Sequence, residues 1–316
     1  MKLLLAVDDS VHSEKAVDAL CHIDWLRGSE LIILNVVKPM DYLLPFGMED
    51  TETQAQELTK ARSGWLNQLA AKISAKLPAL KVSHKVKFGD TKFVIVNTAV
   101  ADEIDLIVMG SQGRTGVERF ILGSVSCSVV EYAPCPVMII KGDTETWGDF
   151  DRLFIAFDGS AYSHDALDWL CDHKWGPNTK VHIVMTLPEF DNADAQNVSQ
   201  LESGVLKAQW TIITSKAQKM LEEAATAVGQ VVGRENVTVE SIPGDPRQEL
   251  LKCATKFGAQ LIIMGSRGRT GFTKFLLGSV SLHLANHSTV PIAIVRRLAP
   301  ETLATLYGDS AQQKNK

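Results

Sequence analysis

The sequence predicts an α/β protein made of two doubly wound, five-stranded parallel sheets in tandem. Three observations lead there. The chain has 316 residues, enough for two domains at roughly 150 residues each. It is also one unit written twice. Within each unit short apolar runs alternate with helix-like stretches, the pattern of parallel strands joined by helical crossovers.

The repeat is direct. Residues 106–125 read LIVMGSQGRTGVERFILGSV and residues 261–280 read LIIMGSRGRTGFTKFLLGSV, identical at 14 of 20 positions at an offset of 155. The same offset relates Gly89-Asp90 to Gly244-Asp245 and Pro136 to Pro291. Earlier in each unit the offset is 150, pairing Asp8 with Asp158, Ser10 with Ser160, Cys21 with Cys171 and Trp25 with Trp175. The second copy therefore carries five extra residues, expected between about 187 and 243. A period this long means duplicated domains, not a solenoid. Copy one is expected over 1–141 and copy two over 152–297, joined by a polar linker GDTETWGDFD.

Each element has a local reason. Leu3–Val7 is an apolar run suited to a strand buried on both faces. Ser10 stands at an N-cap position before the periodic face Ala16, Val17 and Leu20. Leu31–Val37 is a second strand, and Pro39–Asp50 reads as a loop before a long helix ending near Leu77. Lys81–Phe88 is a strand, Thr91–Ala101 a helix, Ile104–Met109 a strand, Ser124–Tyr132 a helix and Val137–Ile140 the fifth strand. Copy two repeats the order with strands Leu153–Phe157, Val181–Leu187, Val237–Ile242, Leu261–Met264 and Ile292–Val295. The tail from Leu298 turns polar, and Gln312–Lys316 reads as disordered.

Composition narrows the function classes. At 45% hydrophobic and 22% charged residues the chain is ordinary globular material. Lys+Arg number 32 against 37 Asp+Glu, so no global positive field draws in nucleic acid or anionic lipid. The opening run is too short for a signal-peptide core or a membrane span, which leads us to expect a cytoplasmic protein. Five cysteines with no C-x-x-C pair read as small buried hydrophobes in a reducing compartment.

The informative motif follows each fourth strand: Gly110-Ser111-Gln112-Gly113, nine residues, Gly123-Ser124-Val125, and again Gly265-Ser266-Arg267-Gly268, nine residues, Gly278-Ser279-Val280. Glycines at a strand's carboxyl end let backbone N–H groups approach a phosphate. A helix opening there adds unpaired N–H groups and the positive end of its dipole. Arg114 and Arg119, with Arg267, Arg269 and Lys274 in copy two, supply positive charge. No G-K-[ST] follows, so this is not a P-loop, and neither spacing nor position fits a dinucleotide fingerprint. Glycines serving tight turns would explain one such loop; two copies with every glycine and serine intact weaken that explanation.

This pattern, with the strand-end Asp8-x-Ser10 and Asp158-x-Ser160 and the Gly-Asp turns, resembles the universal stress protein family, in its tandem two-domain form. The resemblance covers both copies. It implies an adenine nucleotide alpha hydrolase-like fold of strand order 3-2-1-4-5, with a nucleotide site where strands one and four lie side by side. It also implies residue roles. Asp8 matches the residue lining the adenosine side, Val36 the adenine contact, Met109 and Gly110 the pair under the ribose, and Gly113, Gly123, Ser124 and Val125 the phosphate cradle. In copy two these fall at Asp158, Thr186, Met264, Gly265, Gly268, Gly278, Ser279 and Val280; Thr186 departs from the usual apolar residue. The expected ligand is ATP or another adenine nucleotide, with Mg²⁺ bridging its phosphates. The family's fifth-strand dimerisation implies a pseudo-dimer within the chain, or a homodimer of chains, and a protein partner of unknown identity.

Other constellations read as structural. His283 and His287 have metal-ligand spacing but lack the glutamate of a zinc protease. Ser160, His164 and Asp165 share one helix start, which cannot give a convergent triad. Three functions stay in play: a non-enzymatic nucleotide-binding stress module, a slow ATPase or phosphoryl or adenylyl transferase using the same sites, and a scaffold that merely dimerises. The two phosphate loops argue against the scaffold, and the lack of a general base or second-substrate motif argues against the enzyme.

Overall fold

Strand β1 (Lys2–Val7) sends side chains to both faces of its sheet. Leu3, Leu5 and Val7 enter one core and Leu4 and Ala6 the other, all at most 8% exposed. Burial on both faces is what a continuous apolar run with period-two geometry requires. Each leucine withdrawn from water contributes about 1.5–3 kcal/mol.

The computed structural model of the chain describes residues 1–23, 28–38, 51–113, 122–143, 147–189, 200–269 and 277–297. Trp25, the Pro39–Asp50 loop, Arg114, Arg119, Lys274 and the tail from Leu298 lie outside them. The first copy continues with α1 (Val11–Leu20), β2 (Glu30–Val37), α2 (Thr51–Lys76), β3 (Lys81–Phe88), α3 (Thr91–Ala101), β4 (Leu106–Gly110), α4 (Ser124–Tyr132) and β5 (Val137–Ile140). The second has β6 (Arg152–Ala156), α5 (Ala161–Cys171), β7 (Lys180–Leu187), α6 (Gln200–Val232), β8 (Val237–Pro243), α7 (Pro246–Phe257), β9 (Leu261–Gly265), α8 (Ser279–His287) and β10 (Ile292–Val295). The extra length of copy two lies in its long helix, 33 residues in α6 against 26 in α2. Strand β4 begins later than expected because Glu103, at φ 53°, ends the turn after α3.

The strands run β3-β2-β1-β4-β5-β10-β9-β6-β7-β8 in one ten-stranded sheet. Each half has the order 3-2-1-4-5 in its own numbering, every pair within a half is parallel, and β5 meets β10 antiparallel, with Ala293 opposite Met138. Residues of α1, α2, α5 and α6 pack on one face of this sheet and those of α3, α4, α7 and α8 on the other. Serine caps start α1 and α5: Ser10 Oγ accepts from Ser13 N at 3.3 Å and Ser160 Oγ from Ser163 N at 3.2 Å. Gly89 and Gly244, at φ 139° and 128°, make the turns that lead into α3 and α7, which Asp90 and Asp245 cap.

The seam between halves carries two buried cations. Lys141, next after β5, donates to the carbonyls of Ala285 and Asn286 at the C-terminal end of α8, at 2.5 and 2.6 Å. Arg296, next after β10, donates to Glu131 O at the same end of α4, at 2.6 Å. Each cation meets the negative end of the other half's helix dipole. The segment expected to be a polar linker is in part core: Trp147 and Phe150 are 0% and 2% exposed, and Trp147 Nε1 donates to Lys141 O at 2.6 Å. Their aromatic area outweighs the polar residues around them. The cysteines are less uniform than expected. Cys135 is buried, whereas Cys21, Cys127, Cys171 and Cys253 are half-buried, and desolvation pushes all five thiols up. Among the described residues no helix is long and apolar enough to cross a membrane.

Two outcomes follow for the seam. Trp147→Ala opens a cavity in a filled core, and urea unfolding should show a loss of about 3–5 kcal/mol. Burial brings Lys141 down to about 8, while the unfolded chain keeps that proton to about pH 10. Between those values the unfolded state binds more protons, so stability rises with pH. The stability of the parent relative to Lys141→Met should therefore increase from pH 8 to pH 10, and a flat difference would show that the lysine is not desolvated.

Candidate functional site

In each half, strands one and four are neighbours whose crossovers leave on opposite faces. From β1 the chain passes through α1 to β2, and from β4 through α4 to β5. That divergence leaves a crevice at the carboxyl ends of the strands. A cavity of about 630 Å³ occupies it, within the range of small-molecule sites.

All the described candidate residues of copy one line this cavity. Asp8 follows β1, Val36 comes from β2, Met109 and Gly110 close β4, and Gly113 follows in the loop. Gly123, Ser124 and Val125 bring the N-terminus of α4, where the first-turn N–H groups have no intrahelical acceptor. Leu34, Ile95 and Met109 give the cavity an apolar part. Lys38 adds an exposed ammonium at the rim. Arg114 lies outside the described residues.

The glycines answer to close approach. A Cβ on Gly110 would lie 2.7 Å from the carbonyl oxygen of His12, and one on Gly113 2.8 Å from Asp8 Oδ2. Gly123 has φ −61°, so no left-handed conformation demands glycine there. Its Cβ would stand 3.3 Å from Gln112 Cα, and its N–H donates to Ser111 O at 2.8 Å. Gly123 thus clamps the start of α4 onto the β4 loop, and the N–H groups left for an anion belong to the residues after it. Ser126 Oγ braces the same joint, donating to Gly110 O at 3.0 Å.

Asp8 is held by the turn that follows it. Its Oδ1 accepts from Ser10 N at 3.1 Å, from Ser10 Oγ and from Ser13 Oγ at 2.8 Å. His12, on the same turn, is pushed below the usual imidazole range chiefly by burial and then by Lys15, with Asp8 opposing.

Copy two forms the matching cleft, about 480 Å³. Asp158, Thr186, Met264, Gly265, Gly268 and Arg269 line it, as do Gly278, Ser279 and Val280 at the start of α8. A Cβ on Gly265 would lie 2.5 Å from Tyr162 backbone, and one on Gly268 2.7 Å from Asp158 Oδ2. Gly278, also at φ −61°, donates to Ser266 O at 2.9 Å. Asp158 Oδ1 accepts from Ser160 N at 2.9 Å, and Oδ2 from Arg269 N at 3.1 Å. The clefts differ in charge. Gln112 of the first corresponds to Arg267, 7% exposed, with its guanidinium 4.8 Å from the Tyr162 ring centroid. That is a cation–π contact inside the cleft wall.

Sequence reasoning missed Ser13 and Ser126 with their counterparts Ser163 and Ser281, all lining the clefts. The signal was available: each pair recurs at its region's own offset, 150 or 155. His283 and His287 stand 4.3 Å apart, ring centroid to centroid, and among the described residues no three metal-ligating side chains cluster.

A duplicated, doubly wound α/β protein with a glycine-loop cleft at each switch point is the class these features define. The model described as the universal stress protein family matches residues 1–141 and again 149–296, so the chain belongs to the universal stress protein family. It is similar, at 25% identity over 298 residues, to a universal stress protein of Mycolicibacterium smegmatis, covering 93% of this chain and 96% of the relative. A universal stress protein of Mycobacterium tuberculosis is 26% identical over 316 residues, with 93% and 97% covered. The crystal structure of a universal stress protein from Archaeoglobus fulgidus superposes with a TM-score of 0.67 at 24% identity, over 94% of this chain and 98% of that one, which shows the fold.

The glycine contacts sort the loop positions by what a methyl would meet. Gly110→Ala and Gly265→Ala press on backbone and should cost about 1–3 kcal/mol in thermal unfolding of the ligand-free protein. Gly113→Ala meets only the tip of the Asp8 side chain and should cost less than 1 kcal/mol in the same measurement. Equal losses at Gly110 and Gly113 would contradict this ordering.

Proposed function

We propose that each cleft takes one adenine nucleotide, ATP with Mg²⁺, and that the protein is a stress-response signalling module whose nucleotide occupancy a protein partner reads. One observation carries this reading. In both copies a helix N-terminus, a glycine loop kept clear of Cβ atoms and apolar side chains line one crevice of nucleotide size. An anion suits the helix end and a planar base the apolar part. Ser124 and Val125, or Ser279 and Val280, would meet the phosphates, with Arg269 nearby in cleft two. The base would rest near Val36 or Thr186. Among the described residues each cleft offers one carboxylate, Asp8 or Asp158, which suits a Mg²⁺ held mainly by phosphate oxygens.

Binding is favoured over turnover because Asp8 Oδ1 is engaged by Ser10 and Ser13, and both oxygens of Asp158 by backbone N–H groups. Those bonds commit each carboxylate to holding the turn that follows its strand. The halves would act as a pseudo-dimer within one chain, seamed at β5 and β10, leaving their outer surfaces for the partner.

Mass spectrometry of small molecules released by denaturing freshly purified protein should find an adenine nucleotide, and equilibrium titration with Mg·ATP should saturate at two per chain. Saturation at one, with the other cleft silent at millimolar ligand, would remove the second site. Single-turnover incubation should leave bound ATP intact over minutes; rapid release of phosphate would favour the ATPase.

A further inference from the structure

Helix α8 lines one cleft and is bonded to the residue beside the other. Its N-terminus at Gly278, Ser279 and Val280 lines cleft two. Its last turn lies across the seam, where Asn286 Oδ1 accepts from Leu122 N at 3.0 Å. Leu122 is 5% exposed and immediately precedes Gly123. The helix has nine residues, and roughly 10 Å of rigid backbone separates Ser279 from Asn286.

A second link runs beside the first. Lys141 Nζ holds Ala285 O and Asn286 O, and the residue before it, Ile140, accepts from Ser111 N at 3.1 Å. Ser111 O in turn holds Gly123 N. The second link ends on the pair of residues, Ser111 and Gly123, that fixes where α4 begins, and the first on Leu122 beside that pair. The halves are not mirror images here. The position equivalent to Asn286 is Glu131, which meets the other half through its backbone carbonyl and Arg296.

We propose that Asn286 is a positioning residue of cleft one supplied by the other half, and that through α8 it couples the occupancy of cleft two to the affinity of cleft one. The coupling rests on the nucleotide reading above. An anion drawn onto the first turn of α8 pulls on a short helix whose other end is bonded to the cleft-one loop. The cleft-one loop then takes one of two positions relative to the start of α4, according to the state of cleft two. Linkage makes the effect reciprocal, even though its structural route is one-sided.

Mg·ATP titrations of six full-length proteins test this: the parent, Asn286→Ala and Asn286→Asp, each with and without Thr186→Trp, which fills cleft two. The dissociation constant of cleft one should differ about three- to tenfold between parent and Thr186→Trp. That difference should vanish in the Asn286→Ala background and return with Asn286→Asp, which keeps an acceptor for Leu122 N. Amide exchange of the ligand-free protein gives an independent reading. Asn286→Ala should speed exchange at 122–126 and leave 277–281 unchanged, and an unaltered 122–126 segment would overturn the positioning role. ATP binding with equal shifts in the parent and Asn286→Ala backgrounds, or with no shift in either, would overturn the coupling alone. Absence of ATP binding from every protein, parent included, would overturn the nucleotide reading and the coupling with it.

Discussion

Two neighbouring parallel strands whose crossovers leave on opposite faces cannot be covered at their carboxyl ends, and the rest of this molecule is arranged around that gap. Strands β1 and β4 stand in this relation in one half, β6 and β9 in the other. Helix α1 departs over one core and α4 over the other, which leaves an opening between them. Backbone lines part of it, beside side chains such as Asp8 and Val36. Glycines admit the close passes of His12 and Asp8, or of Tyr162 and Asp158, and serines brace the joints. The opening thus keeps its width, and polar N–H groups face it without costly burial.

The pairing of β5 with β10 is the second dependency. Each is a four-residue apolar strand at the end of its half-sheet, where exposed N–H and C=O groups would invite association. Antiparallel pairing satisfies both and merges the cores into layers that run through the whole chain. It also places the last residues of each half against the helix ends of the other, where Lys141 and Arg296 find carbonyls. Trp147 is drawn in by the same closure, with its indole N–H on Lys141 O. The connecting segment thereby becomes a structural part of the seam.

The duplication keeps geometry more strictly than chemistry. Both loops have the same glycines, the same first-turn serines and the same cap angles. Around them the walls diverge: Gln112 in one cleft becomes Arg267 in the other, stacked on Tyr162, and Val36 becomes Thr186. The cradle tolerates little change where a Cβ would meet backbone, as at Gly110 and Gly265, whereas wall residues can vary in charge without moving the backbone.

Most of the fold was legible in the sequence because its determinants are local. Apolar runs such as Leu3–Val7 identify buried strands, Ser10 and Ser160 mark helix starts, and the two glycine loops with Asp8 and Asp158 identify the cleft without reference to anything distant. Repetition at fixed offsets then paired the halves residue by residue. What the sequence by itself determined was therefore two α/β units, their order of elements and the residues gathered at each crevice. Only the tertiary structure decided that Trp147 is core, that Gly123 is needed for contact with Gln112 rather than for its own torsion, that Lys141 and Arg296 cap helices across the seam, and that Asn286 holds Leu122, 164 positions away. The reason is physical. Periodicity and turn chemistry act over a few residues and leave a pattern, whereas a single contact between distant segments depends on how two finished surfaces meet.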